Sequence, residues 1–219
     1  MPKNSAGNPH FFWKGQDSFL IMICFRRFFL GLMGWVLLTA PAWATRTVVI
    51  DAGHGGHDRG GGPGQRLPEK VYTLDVAQRL RSRLATAGFR TVMTRNSDVF
   101  VGLRGRCVIA NAQRNSIFVS IHFNSAPREG AAGIETYYYN RSSAGLAAAV
   151  HREVVRTAGT PDRHVRQRGF YVIRNTRGLG VLAELGFLTN GSEGRRITTA
   201  AYRQRLADAL ARAIISQYR

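Results

Sequence analysis

Apolar residues along the chain follow two rhythms. Thr47 to Asp51 (TVVID), Arg90 to Thr94, Ser116 to Asn124 (SIFVSIHFN), Ile134 to Tyr139, Phe170 to Arg174 and Gly180 to Leu185 are short apolar or alternating runs, which predict strands. Between them the spacing becomes helical. Leu74, Ala77, Leu80 and Leu84 recur along one face, after Pro68 and before a stop at Gly88. Leu103 to Ala112 reads as a second helix, Ala144 to Val155 as a third with Ala147, Val150 and Val154 on one side, and Tyr202 to Tyr218 as a closing helix carrying Leu206, Leu210 and Ile214. Strands alternating with helices predict a single α/β domain with a mainly parallel, twisted sheet covered by helices on both faces. Ligands of such sheets gather at the carboxyl ends of the strands, so polar residues ending strands carry the most information.

The amino end follows neither rhythm. Arg26 and Arg27 precede an apolar run from Phe28 to Leu38, and Ala42-Trp43-Ala44 follows as a cleavage signature. That is the layout of a secretory signal peptide, and the run is short of the roughly 20 residues of a membrane span. The sequence thus predicts an extension and signal over residues 1–44, with Met22 as a candidate true start, and a functional domain over 45–219. Arg26-Arg27-Phe28-Phe29-Leu30 also resembles a twin-arginine export signal, without the usual Ser or Thr before the pair and Lys after the Leu.

Charge narrows the choice of partner. The 219 residues hold 31 Lys plus Arg against 13 Asp plus Glu, a formal net charge of +18. A surface this basic suits polyanions. The arginines are scattered, without an aromatic-interleaved platform or zinc-finger spacing, which argues against nucleic acid, as does export. Cys24 lies within the signal, so Cys107 stands alone beyond it, beside Val108 and Ile109, and reads as a buried small thiol.

The strand ends hold the candidate chemistry. His54 follows the first strand, His122 lies near the end of SIHFN on the same face as Ser120 and Asn124, Glu184 sits within the apolar Val181 to Phe187, and Glu69 opens the first helix. Two histidines and a carboxylate with an open position are the minimum for catalytic zinc, and a further carboxylate can serve as general base. Taken singly, each has a plainer reading. His54 could be a turn residue, His122 a core histidine bonded to a carbonyl, Glu184 an arginine partner, and Glu69 a first-turn acid favoured by the helix dipole. His57, His151 and His164 read as non-ligands. The glycine-rich stretch from Gly53 to Gly64 is not a dinucleotide fingerprint, because Asp58 stands where the third glycine belongs. No P-loop, no G-x-S-x-G elbow and no HExxH are present.

Taken in order, the motifs resemble the zinc-dependent N-acetylmuramoyl-L-alanine amidases of amidase type 3. The matching segments are Asp51-Ala52-Gly53-His54-Gly55-Gly56-His57-Asp58-Arg59-Gly60, Glu69-Lys70, Thr94-Arg95-Asn96-Ser97-Asp98, Leu103-Arg104-Gly105-Arg106, Ser120-Ile121-His122-Phe123-Asn124 and Glu184-Leu185-Gly186-Phe187-Leu188-Thr189-Asn190. The resemblance implies Zn2+ held by His54, Glu69 and His122, Glu184 as the catalytic residue, and hydrolysis of the amide joining N-acetylmuramic acid to L-alanine of the peptidoglycan stem. Together with the signal layout and the charge, the reading is an exported monomer, periplasmic or secreted, without a membrane span in its mature form, whose basic surface meets anionic wall or lipid polymers. Two other readings are a non-catalytic muropeptide-binding module and a zinc peptidase cutting within the stem. The sequence departs from the family pattern at Asn115, where Asp is usual, and at Leu179-Gly180, where Met-Pro is usual; altered loop packing is expected there. Nine residues separate Asn124 from Ile134, too few for the inhibitory helix of some relatives, so an open enzyme needing no activator is expected.

Overall fold

A computed structural model describes residues 46–62, 65–127 and 130–218. The predicted export signal lies outside them. Six strands form one sheet: β1 (Thr47–Ala52), β2 (Arg90–Met93), β3 (Ser116–Asn124), β4 (Ile134–Tyr138), β5 (Asp162–Gln167) and β6 (Leu179–Phe187), in the order β2-β1-β3-β6-β4-β5. All pairings are parallel except that of β4 with β6. The helices are α1 (Glu69–Thr86), α2 (Leu103–Asn111), α3 (Ala144–Ala158), the single turn α4 (Tyr171–Arg174), α5 (Gly191–Ile197) and α6 (Ala200–Tyr218).

The alternation of the central strands sorts their side chains into two layers. Val48 and Ile50 of β1, Ile117, Val119, Ile121 and Phe123 of β3, and Val181, Ala183 and Leu185 of β6 pack with Leu80, Leu84, Val150, Leu206 and Leu210 from α1, α3 and α6. On the other face Val49, Phe118 and Leu182 meet Cys107 and Ala110 of α2 and Val172 and Ile173 of α4. Both faces are therefore buried, as a parallel sheet requires, and helices cover each, as the periodicity predicts. The first face is the larger core. The second is thinner and leaves the carboxyl ends of β1, β3 and β6 accessible. Among the described residues no helix is long and apolar enough to cross a membrane.

One local expectation needs correction, and two short elements escape the sequence pattern. Phe170 to Arg174 is not a strand: Tyr171–Arg174 forms one helical turn that buries the adjacent Val172 and Ile173 together, whereas a strand would send them to opposite faces. β5 escapes the hydrophobic pattern because DRHVRQ is an edge strand, mostly exposed and held by main-chain pairing to β4. α5 also escapes it, since GSEGRRI carries two glycines. Its start is nonetheless written in Asn190, whose side chain accepts from Ser192 N–H and Glu193 N–H. Cys107 is buried, as expected, with its thiol against the Val172 carbonyl at 3.8 Å. Gly180, where the resemblance leads one to expect proline, donates its N–H to Ser143 Oγ at 3.0 Å, a bond proline could not make.

Candidate active site

His54 stands just past β1 with φ 60°, in the left-handed region. A non-glycine residue held there signals that its surroundings dictate its conformation. Those surroundings are two buried arginines that grip the main chain. Arg106 donates to Asp51 Oδ1 at 2.7 Å, to the Ala52 carbonyl at 2.6 Å and to the His54 carbonyl at 2.8 Å. Arg95 donates to the carbonyls of Ala52 at 2.9 Å and Gly53 at 2.8 Å. Asp51, within β1, is buried and also accepts from Thr94 Oγ1 and Ser120 Oγ, both at 2.7 Å. Its charge is thus fully bonded, as burial demands.

Glu69 enters from the first residue of α1 and is buried. His54 Nε2 lies 3.1 Å from Glu69 Oε2, and His122 Nδ1 lies 2.9 Å from Glu69 Oε1. The donor atoms of His54, Glu69 and His122 all lie within 4.8 Å of one another. The two imidazoles meet edge to face, with centroids 4.9 Å apart. Asp58 Oδ2 accepts from His54 Nδ1 at 2.9 Å. Such a carboxylate fixes the histidine tautomer and leaves Nε2 as the lone-pair donor facing Glu69. Glycine is required on both sides of the cluster. A Cβ on Gly60, whose φ is +70°, would sit 2.7 Å from Glu69 Oε2, and one on Gly53 would sit 2.6 Å from His122 Nε2.

The electrostatics of the cluster favour a cation. Burial works against the Glu69 charge, but hydrogen bonds to His122 and His54 hold its pKa at about 2. Burial likewise opposes protonation of His122, yet the Glu69 contact overrides it and lifts the imidazole to about 9. His54 is raised in the same way, by Glu69 and Asp58 against burial. A carboxylate that stays ionised between two basic nitrogens is the donor set a divalent zinc ion accepts.

Glu184 pairs with His122 across β3 and β6, on the same face of the sheet. Its Oε2 is buried and has no hydrogen-bond partner among the described residues. Burial raises its pKa to about 7, with help from the charges of Glu69 and Glu135 and against that of His122. Among the described residues no arginine pairs with it, which leaves the ion-pair alternative without a partner there. Glu135, its partner on β4, accepts from Asn124 Nδ2 at 2.7 Å and faces Arg163 at 3.3 Å.

The four residues singled out from the sequence therefore meet at one place. His57, His151 and His164 stay outside the cluster. His57 stacks on Phe100, His151 bonds Thr136 and Asp162, and His164 lies on exposed β5. Asp58 and Arg106 stand in the matched motifs without an assigned role, and Glu135 stands in none of them. Asp58 depends on a tight turn, Arg106 reaches the site from α2, and Glu135 needs the β4–β6 register, none of which spacing reveals.

The chain matches the family model for N-acetylmuramoyl-L-alanine amidase over residues 48–216. It is 38% identical to the uncharacterized protein YqiI of Bacillus subtilis over 86% of this chain and 96% of that protein. It is 34% identical to the N-acetylmuramoyl-L-alanine amidase LytC of the same organism over 79% of this chain, spanning only 36% of that longer protein. In structure it resembles the catalytic domain of CwlV, an N-acetylmuramoyl-L-alanine amidase of Paenibacillus polymyxa, with TM-score 0.76 and 34% identity over 79% of this chain and 98% of that one. The amidase AmiC2 of Nostoc punctiforme superposes with TM-score 0.74 at 36% identity, over 78% and 96% of the two chains. By sequence, by sheet topology and by the residues gathered at its strand ends, the chain belongs to the N-acetylmuramoyl-L-alanine amidase family.

Proposed function

We propose that this chain is an exported, zinc-dependent hydrolase that cuts the amide between the lactyl group of N-acetylmuramic acid and L-alanine in peptidoglycan. The observation that carries the reading is the convergence of His54, Glu69 and His122 beside a buried, unpartnered Glu184 carboxylate oxygen. His54 Nε2, Glu69 and His122 Nδ1 would hold the zinc ion. Zinc in such a site lowers the pKa of water to about 7 and draws electron density from a carbonyl oxygen.

The protein's own groups do the rest. Glu184 accepts a proton from the attacking water and returns it to the L-alanine amine as the C–N bond breaks. Its position near neutrality suits both halves of that transfer. Asp58 keeps His54 in the tautomer that presents Nε2. Arg106 and Arg95 hold the His54 main chain against its left-handed strain. We assign residues 1–44 to export, so the mature protein begins at Thr45, which the mass of the exported form checks.

Purified peptidoglycan digested with zinc, and in parallel with chelator, tests the reaction by product mass. Intact stem peptides freed from bare glycan, with zinc only, are expected. Retention on the wall polymer without release would instead favour a binding module, and shortened stems a peptidase. Glu184→Gln is expected to lower the rate by about 10²–10⁴-fold while leaving zinc affinity within about threefold of the parent.

A further inference from the structure

β6 falls out of step immediately after Glu184. His122 pairs with Glu184, but Asn124 pairs with Phe187, so β6 spends one more residue than β3 over this stretch. A bulge of this kind bends the strand and re-aims the side chains beside it. On the other edge of β6 the pairing to β4 ends at Glu135–Glu184. Continued in the same antiparallel register, it would set Gly133 opposite Gly186. Both are glycines at positive φ, 121° and 118°, a conformation that side chains disfavour, and the ladder stops short of them.

One carboxylate takes the place of the missing rungs. Glu193, on α5, is 2% exposed. Its Oε2 accepts from Phe187 N–H at 2.6 Å, and its Oε1 accepts from Gly133 N–H at 2.9 Å. Thr160 Oγ1 donates to the same Oε1. Gly186 leaves the room, since a Cβ there would lie 3.2 Å from Glu193 Oε2. α5 does not need this side chain for its own start. Asn190 caps the helix, and the Asn190 N–H, which a glutamate at this position ordinarily takes, goes to the Phe187 carbonyl at 3.2 Å. Glu193 is thus spent on β4 and β6. Those strands carry Glu135 and Glu184, and Glu184 Oε2 has no hydrogen bond among the described residues to hold it. The aim of Glu184 therefore rests on the main chain of β6.

Resting on the amidase reading, we propose that Glu193 is a positioning residue for Glu184. By joining the ends of β4 and β6 just beyond the Glu135–Glu184 pair, it pins the bulge and fixes where the Glu184 carboxylate stands relative to His54, Glu69 and His122. It touches neither substrate nor metal, and it acts on the proton-transfer step alone.

Glu193→Gln keeps the shape but replaces one accepting oxygen with an NH2 group, so a donor at the strand ends loses its partner. A displacement of about 1 Å at a reacting group costs on the order of 10²-fold. On a muramoyl-tripeptide with zinc present, kcat is expected to fall by about 10–100-fold, with KM and zinc affinity within about threefold of the parent. In the Glu184→Gln background the same substitution should cost less than about twofold, because a residue that acts through Glu184 has nothing left to position. Gly186→Ala, which presses a methyl group on the Glu193 carboxylate, should give the same pattern by a second route. Leu210→Ala opens a cavity in the core on the opposite face of the sheet and should lower the melting point without lowering kcat. Amide exchange provides a readout apart from activity: Phe187 N–H should be protected in the parent and lose that protection in Glu193→Gln. A folded Glu193→Gln protein with the parent's kcat, an equal loss in both backgrounds, or an unprotected Phe187 N–H in the parent would overturn the proposal and leave the amidase reading intact. No cleavage by the zinc-loaded parent would overturn both.

Discussion

Gly53→Ala adds one methyl group and removes no polar atom, yet it should disable the metal site. The added Cβ would stand 2.6 Å from His122 Nε2 and 2.7 Å from Nδ1, and closer still to Cε1. Non-bonded heavy atoms settle at about 3.5–4.0 Å, so the ring must retreat by about 1 Å. The Gly53 main chain cannot give way instead. Its N–H donates to the Ile121 carbonyl at 3.1 Å, and its carbonyl accepts from Thr73 Oγ1 and Arg95 Nη2, both at 2.8 Å. Metal–ligand distances tolerate about 0.2 Å, and a 1 Å misplacement at a reacting centre costs on the order of 10²-fold. Zinc affinity, measured by competition with a chromophoric chelator, is therefore expected to fall by about 100-fold or more, and activity with it. Overpacking adds roughly 1–3 kcal/mol of destabilisation, so circular dichroism should show a folded protein with a lowered melting point. Gly145→Ala is the control, because its Cβ would meet nothing within 4 Å; it should leave zinc binding alone. A folded Gly53→Ala protein that binds zinc as the parent does would refute the assignment of His122 as a ligand.

Three further outcomes are expected. Arg106→Met strips the buried Asp51 of its cationic partner and frees the carbonyls of Ala52, Val101 and His54; urea unfolding should report a loss of about 3–5 kcal/mol, and a loss under 1 kcal/mol would contradict the clamp. Asp58→Ala removes the acceptor at His54 Nδ1 and should weaken zinc by about 10–100-fold with the fold intact, as chelator competition can check. The third concerns pH with the metal stripped by chelator. His122 is raised from 6.5 to about 9 and Glu184 from 4.5 to about 7, so folding favours the protonated form of each. Their contribution is complete below the ordinary values and is lost as pH rises through the raised ones. The melting point of the metal-free protein should fall between about pH 5 and pH 9. Zinc loading should offset that decline, since zinc binds the deprotonated imidazole. A metal-free melting point that climbs across this window would contradict the reading. At the acid end Glu69, held at about 2, favours the ionised form, and its contribution disappears as pH falls from 4.5 toward that value.

The elements most legible in the sequence are those whose burial is one-sided or complete. Ser116 to Asn124 alternates because one set of side chains meets α1 and the other meets α2 and α4. α1, α3 and α6 show their spacing because each lays one stripe on the sheet. His54, Glu69, His122 and Glu184 were also legible, each as a polar residue at a strand end, beside a glycine loop or inside an apolar run. β5 was not, since an exposed edge strand answers to main-chain bonds rather than to a hydrophobic pattern. Phe170 to Arg174 misled because a four-residue apolar turn and a short strand bury equally well. Only tertiary structure decided which groups surround the four. The β3–β6 register sets Glu184 beside His122, and the antiparallel entry of β4 brings Glu135 to Glu184. The reach of Arg106 from α2 to the end of β1, and the turn that returns Asp58 to His54, complete the setting. These contacts link residues far apart in the chain, or neighbours joined by a left-handed bend. Their existence depends on register and backbone torsion, quantities that the identity of a residue constrains but does not specify.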